Sequence, residues 1–179
     1  MILDSKPNAY ICPKLNLMKV ETLELRDWED LETGLVVAEN DEWVMLRYIY
    51  ADYMLDGWKL IKKDLIAERI SEEDEAQIAK VIALKGETGV LPMGFKLGSA
   101  LEMIQWINNR YGFVEFQDEE EEVIFAVVTG QEEGNLLFDM VLPDGQVEAG
   151  CEIGIDDVGV IAFDGDYFQS VGLLWKADK

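Results

Sequence analysis

The sequence predicts a mainly β protein with helices (α+β class), built as two small β-barrels linked by helices. Three observations lead to this prediction. Five short runs that are alternating, or rich in β-branched and aromatic residues, fall within residues 18–70. Two amphipathic segments with helix-start patterns follow, and a second series of short runs occupies residues 113–175. Short strands separated by closely spaced turns are typical of small barrels.

The first half begins with an irregular segment, residues 1–19, and continues with strands. The predicted strands are residues 18–25, 34–37, 43–50, 58–61 and 65–70. Aromatic and β-branched residues are densest at residues 43–70, where Asp56-Gly57 predicts a reverse turn. Strand alternation places Tyr48 and Tyr50 on one face, which is core if Leu46 belongs to it and an interaction patch if it is exposed.

Two helices are predicted in the middle of the chain. Ser71 is the expected N-cap of the first, ahead of an acidic first turn, and Gly86 its terminator. Ser99 and Glu102 form a capping-box pattern for the second, which Gly112 ends. Four glycines and a proline fall in residues 85–98. The predicted division is therefore a first domain at 1–85, a linker at 86–98 and a second domain at 99–179.

The second half returns to β structure and repeats the order of the first. Its predicted strands are residues 113–116, 123–129, 136–142, 146–153, 158–163 and 171–175. In both halves a Val-Val pair, an acidic turn, a long strand and an Asp-Gly pair follow in sequence. This order is compatible with a tandem duplication, or with one larger mixed α+β domain.

A family resemblance is carried by the first of these segments. Gly34-Leu35-Val36, then Asp41 and the alternating residues 43–46, resembles the first conserved segment of Sm-like small β-barrels, and residues 127–137 resemble it more loosely. The resemblance implies SH3/Sm-like barrels and a nucleic-acid-binding role. The asparagine and the Arg-Gly pair of RNA-binding Sm proteins are not matched, since residues 44–45 are Val-Met and residues 65–68 are Leu-Ile-Ala-Glu. The chain also resembles uncharacterised bacterial proteins with DYxxDGW segments, here residues 52–58.

The charge of the chain restricts its partners. There are 15 Lys and Arg against 37 Asp and Glu, a formal net charge of −22. Such a field repels phosphate backbones and anionic membrane surfaces, and it attracts basic proteins. The N-terminal residues lack a basic start followed by a continuous apolar run, and no apolar stretch approaches the ~20 residues of a membrane span. We therefore predict a cytoplasmic protein that does not bind membranes, and the charge disfavours nucleic acid as a partner.

No catalytic motif is evident in the sequence. Histidine is absent, and neither glycine-rich phosphate loops nor metal-ligand spacings occur. Cys12 and Cys151 lie far apart, which favours two reduced thiols, although one disulfide is not excluded. The acidic run at residues 118–122 lacks the spacing of an EF-hand loop. We predict no catalytic residue, no metal site and no cofactor.

The best candidate site is a concentration of acidic and aromatic residues. It comprises Tyr50, Asp52, Tyr53, Asp56 and Trp58. Two interpretations stay open: a functional pocket, or a solvated turn beside core aromatics. The acidic-aromatic segment at residues 164–167 is interpreted in the same way.

The predicted function follows from these features. The primary hypothesis is a non-enzymatic protein-interaction or assembly module whose partner is an unidentified protein, with oligomer formation left open. An acidic inhibitor or immunity-type protein that binds a basic partner is the alternative. A nucleic-acid binder, which the Sm-like resemblance implies, is the third.

Overall fold

The structure, a computed structural model, describes residues 18–118 and 122–177. Its strands are β1 (Val20–Leu25), β2 (Leu31–Glu39), β3 (Trp43–Ala51), β4 (Met54–Lys62), β5 (Ile66–Ile70), β6 (Val114–Gln117), β7 (Val123–Glu132), β8 (Asn135–Val141), β9 (Val147–Gly154) and β10 (Val160–Phe163). The helices are α1 (Glu73–Leu84), α2 (Ala100–Tyr111) and α3 (Asp166–Ala177). Short 3₁₀ turns at Lys63–Leu65 and Ile155–Asp157 precede β5 and β10. The predicted lead-in at residues 1–17, including Cys12, lies outside the described residues.

All ten strands belong to one open antiparallel sheet. Their order is β5-β1-β2-β3-β4-β10-β6-β7-β8-β9. The prediction of two small closed barrels linked by helices is therefore wrong. The sheet continues from one half to the other because β4 pairs with β10. The alternation of apolar and polar residues indicates which face of a strand is buried. It does not indicate which other strand pairs with it.

Both halves of the sheet nevertheless have the same pairing. β5 lies beside β1 and β10 beside β6, so in each half the fifth strand pairs with the first. The second strands of the two halves shift register at matching places, just after Val36 in β2 and just after Val128 in β7. The fourth strands each contain a bulge with a positive-φ glycine, Gly57 in β4 and Gly150 in β9.

The largest core cluster spans both halves. Trp43 and Met45 of β3 are buried in the same cluster as Phe116 of β6 and Phe138 of β8. Helices α2 and α3 contribute to this cluster with Met103, Ile104, Ile107, Phe168, Val171 and Trp175. The alternate β3 residues Val44 and Leu46 belong to a separate cluster, which is formed by the first half and Val160 of β10. Residues 43–46 of β3 are therefore buried on both faces.

The first two helices begin close to the predicted caps. In α2 the predicted capping box is confirmed: the Ser99 N–H donates to Glu102 Oε2 at 2.9 Å, and Ser99 Oγ accepts from the Glu102 N–H. The N-cap of α1 is Glu72 rather than Ser71. Ser71 Oγ instead donates to the Val20 carbonyl at 3.2 Å, which ties the start of the helix to β1.

The last element was predicted wrongly. Residues 171–175 form part of helix α3, not a strand. Val171 and Trp175 are buried while Leu173 and Leu174 are exposed, which is the spacing of a helix face. A short apolar run alone does not distinguish a strand from a buried helix segment. Within residues 18–118 and 122–177, no helix has the length and apolarity needed to cross a bilayer.

The glycine-rich segment before α2 packs on the core. Phe95 is buried and lies 5.0 Å from Trp106 and 5.7 Å from Phe163, measured between ring centroids. Phe95 therefore connects the glycine-rich segment to β10 at the centre of the sheet. The division into domains at residues 86–98 stays a prediction.

Gly34 is required by the close approach of β2 and β3. A Cβ at this position would lie 2.7 Å from Leu46 Cβ and 3.0 Å from the Arg47 carbonyl oxygen. We expect Gly34→Ala to lower the free energy of unfolding by about 1–3 kcal/mol, because the strands must separate to admit the methyl group. Urea denaturation followed by tryptophan fluorescence measures the effect.

Gly130→Ala is the matched control, since Gly130 occupies the second strand of the other half. Its added Cβ would lie at an ordinary 3.7 Å from Leu137 Cδ1. We expect this substitution to be neutral or slightly stabilising. Equal losses of stability in the two variants would contradict the steric explanation for Gly34.

Candidate functional site

A cavity lies where β4, β10 and β6 meet the start of α3. Its volume is about 190 Å³. It is lined by Tyr48, Tyr50, Asp56, Trp58, Lys59, Glu115, Ala162, Phe163, Gly165, Tyr167 and Phe168. The strands bring these residues together through register, since Lys59 is paired with Ala162 and Ala162 with Glu115. We call this space the junction cavity.

The predicted reverse turn at Asp56-Gly57 is wrong. The chain reverses at Asp52-Tyr53, where Asp52 has a φ of 46°. Asp56 and Gly57 lie within β4, opposite a register shift in β3. An Asp-Gly pair favours positive φ, and a bulge uses that conformation as readily as a turn does.

Asp56 and Gly57 attach β4 to the start of α3. Asp56 Oδ1 accepts a hydrogen bond of 2.7 Å from the Asp166 N–H, the first residue of α3. Gly57 has a φ of 66°, and a Cβ there would lie 2.5 Å from the Gly165 nitrogen. The two segments that the sequence marked separately as acidic-aromatic, residues 52–58 and 164–167, are thus in contact.

Trp58 acts mainly in packing and is not a surface residue. It is buried and stacks on Phe163 of β10, with 6.3 Å between ring centroids. The Arg47 guanidinium lies over the Trp58 ring at 4.8 Å from its centroid, and Arg47 Nη1 donates to the Gly57 carbonyl at 2.7 Å. These contacts hold the bulge of β4 in place.

The other three residues of the predicted site lie in different surroundings. Tyr50 is 67 % exposed and lines the junction cavity. Tyr53 points to α1 instead: its hydroxyl accepts from Gln77 at 2.7 Å, and its carbonyl accepts from Lys85. Asp52 is exposed in the turn and does not line the cavity. The structure therefore brings Tyr50, Asp56 and Trp58 together, and leaves Asp52 and Tyr53 apart.

Sequence reasoning missed the polar floor of the cavity. Lys59 Nζ donates to both carboxylate oxygens of Glu32 at 2.7 Å, and both side chains are largely buried. The Lys59 ammonium also lies 4.0 Å from the centroid of the Tyr48 ring. Burial, with the negative charges of Glu32 and Asp30, raises the pKa of Tyr48 to about 12.

Glu115 is the most perturbed carboxyl group of the cavity. Burial raises its pKa to about 7; the charge of Lys59 opposes this shift, and those of Glu32 and Asp56 add to it. No hydrogen bond to the Glu115 carboxylate is formed within residues 18–118 and 122–177. The only sequence indication was a glutamate between two buried residues of a strand, Val114 and Phe116.

The chemistry available here is that of a carboxyl group that titrates near neutrality. Such a group can exchange a proton or bind a cation. Cys151 is a partly exposed free thiol on β9, outside the cavity lining. Among the described residues, no three Asp, Glu or Cys side chains are placed to hold a metal ion.

Comparisons with known proteins return no relative. Neither protein-family models, nor curated proteins, nor solved structures match this chain. The resemblance to Sm-like barrels therefore stays a prediction.

Removal of the Asp56 carboxylate tests its role as a cap of α3. We expect Asp56→Ala to lower the free energy of unfolding by about 1 kcal/mol, because the Asp166 N–H and the positive helix terminus lose their acceptor. Urea denaturation gives the loss, and faster amide exchange at Asp166 localises it. Asp56→Asn keeps an acceptor oxygen and should lose less; an equal loss would exclude the capping role.

The raised pKa of Glu115 makes folding pH-dependent. The folded state binds more protons than the unfolded state between the ordinary pKa of 4.5 and about 7, so stability falls as pH rises through this window. We expect Glu115→Gln to be more stable than the wild type above pH 7, by up to about 3 kcal/mol, and equal to it below pH 4.5. Denaturation at a series of pH values measures the difference. A difference that does not change with pH would show that Glu115 is not the group involved.

Proposed function

We propose that this chain is a non-enzymatic assembly module that associates through the two edge strands of its sheet. The observation that supports this is the repeated strand order, together with the way the halves are joined. The fourth strand of the first half pairs with the fifth strand of the second. The remaining fifth strand, β5, and the remaining fourth strand, β9, are the two edges of the sheet.

The β4–β10 junction provides the pattern for such an association. Four residue pairs form it, from Val160 opposite Ile61 to Phe163 opposite Trp58. Ile61, Val160 and Phe163 are almost fully buried there. Backbone pairing with buried side chains on both faces is the usual basis of recognition by strand addition.

The two edge strands, which have no outer partner within residues 18–118 and 122–177, match the two sides of this junction. In β9, residues 151–154 follow the bulge at Gly150 as residues 58–61 follow the bulge at Gly57 in β4. β5 follows a 3₁₀ turn and lies beside β1, as β10 follows a 3₁₀ turn and lies beside β6. A second copy could therefore place its β5 against β9 by the pairing that β10 makes with β4. This head-to-tail contact is heterologous and repeats from copy to copy.

The two edges differ in charge. Lys63 and Arg69 line a hollow along β5 together with Glu68, and both cations form ion pairs with Glu39. β9 has the exposed carboxylates Glu148 and Glu152 and contains no Lys or Arg. Opposite charges across an interface speed association and fix its orientation. A β9–β9 contact would bring like charges together.

The hypotheses of an acidic inhibitor and of a nucleic-acid binder have less support. The first rests on the net charge of −22 alone. The second is opposed by the same charge, because phosphate binding depends on Lys and Arg. Strand pairing at the edges requires neither a basic partner nor a phosphate.

Self-association can be measured directly. We expect sedimentation velocity over a concentration series to show oligomers, and deuterium exchange to slow at residues 147–154 and 66–70 together as they form. The double variant Glu148→Lys with Glu152→Lys should weaken association by about tenfold, because the charge contrast between the edges is lost.

The pair Glu29→Lys and Glu87→Lys is the matched control. Both glutamates are exposed and outside the strands, so net charge changes equally without altering an edge. A chain that stays monomeric over the series, with neither edge protected, would refute association with a second copy. Equal weakening in the two double variants would attribute the effect to overall charge.

A further inference from the structure

We propose that the junction cavity binds one alkylammonium or guanidinium group. This goes beyond the assembly function, since the cavity lies at the centre of the sheet and both proposed edges lie at its ends. Its size, the excess of negative side chains in its lining and its aromatic wall each favour such a group.

The volume admits one small group. A cavity of about 190 Å³ is slightly larger than the ~150 Å³ that holds benzene and smaller than the ~300 Å³ at which pockets for drug-sized ligands begin. A nucleotide or a large cofactor is too large to be enclosed by it. The end of a lysine or arginine side chain, or a short free amine, does.

The charge of the wall selects a cation. Among the described residues, Lys59 is the one cation of the lining, and Glu32 already binds its ammonium through both oxygens. The Glu115 carboxylate receives no hydrogen bond from the described residues. The first N–H of α3, which could attract an anion, donates to Asp56. The lining therefore carries two carboxylates, Asp56 and Glu115, against the single ammonium of Lys59.

Aromatic rings complete the wall. Tyr50 and Tyr167 are 67 % and 58 % exposed at the rim. Tyr48 lies deeper and already accepts the Lys59 ammonium on its ring face at 4.0 Å. A cation over an aromatic face is attracted by the ring quadrupole, and more strongly where water is excluded. A second ammonium, placed between Glu115 and the exposed tyrosines, would make the same type of cation–ring contact that Lys59 makes with Tyr48.

Binding should be coupled to the protonation of Glu115. A cation beside the carboxylate stabilises its charged form, so a proton is released on binding. Affinity should rise as pH increases through about 7, the pKa of the free site, and level off above it. Because only the ionised form binds, affinities one unit below and one unit above this pKa should differ by about tenfold.

The probes are n-butylammonium, n-butylguanidinium and, as a neutral control of the same shape, n-butanol. Chemical-shift titration of the full chain at constant ionic strength, about one unit on each side of the Glu115 pKa, gives the affinities. We expect the cations to bind, to shift resonances of Tyr50 and Tyr167, and to bind about tenfold tighter at the higher pH. Equal binding of n-butanol, or no binding of either cation, would overturn the proposal.

Two variants and one control test the site. Glu115→Gln should weaken cation binding by at least about tenfold and abolish its pH dependence. Tyr167→Ala should weaken binding by a few fold and keep the pH dependence, which guards against a folding defect in the first variant. Glu132→Gln, at an exposed position outside the cavity, should bind as the wild type does. Unchanged binding in Glu115→Gln would refute the assignment.

The source of the cation is distinguished by a further pair of ligands. A short peptide with one central lysine represents a side chain of a partner protein, and putrescine represents a free amine. If the peptide or putrescine binds, and Glu115→Gln weakens that binding, the site is supported. The ligand that binds more tightly then indicates whether the cation comes from a protein side chain or from a free amine. If neither shows that dependence, the site does not recognise ammonium groups. Neither result depends on whether the chain self-associates.

Discussion

The pairing of β4 with β10 is the contact on which the rest of this structure depends. It joins two groups of five strands into one sheet and places Phe163 against Trp58. Without it, the large core cluster would be divided, since strands of both halves and helices α2 and α3 contribute to it. The same pairing sets Lys59 and Glu115 on either side of Ala162 and so creates the floor of the junction cavity.

The most conspicuous residues of the sequence have mixed roles. The segment at residues 52–58 is acidic and aromatic, which suggested a site, yet Asp56 caps a helix, Gly57 permits close contact of two backbones and Trp58 fills a core. The residue with the most distinctive chemistry of the cavity, Glu115, is a single acid in a short strand. The composition of residues 52–58 indicated a region that does line the cavity. The carboxyl group with the unusual pKa, Glu115, comes instead from β6, which is distant in sequence.

Local pattern predicted most elements, and failed where a choice depended on distant partners. The Ser99 capping box and the alternation of β3 were sufficient because each is decided within a few residues. The open sheet was not predictable, since the alternation within β4 does not indicate whether its edge closes a barrel or accepts β10. Residues 171–175 form a helix because α3 packs on Phe113 through Gly172, a contact invisible in a five-residue apolar run. Tyr50, Asp56 and Trp58 could be placed near one another from sequence proximity, whereas Glu115 could not.

The central position of β10 has a consequence for how the chain reaches its native state. β10 is the last strand of the described residues, yet it lies between β4 and β6. Its pairing with β4 connects residues roughly a hundred positions apart, a separation that slows folding. If the first five strands fold during synthesis, β4 lacks its native partner on this edge until β10 emerges from the ribosome. The acidic surface, which keeps chains apart, would protect nascent molecules from aggregation during this interval.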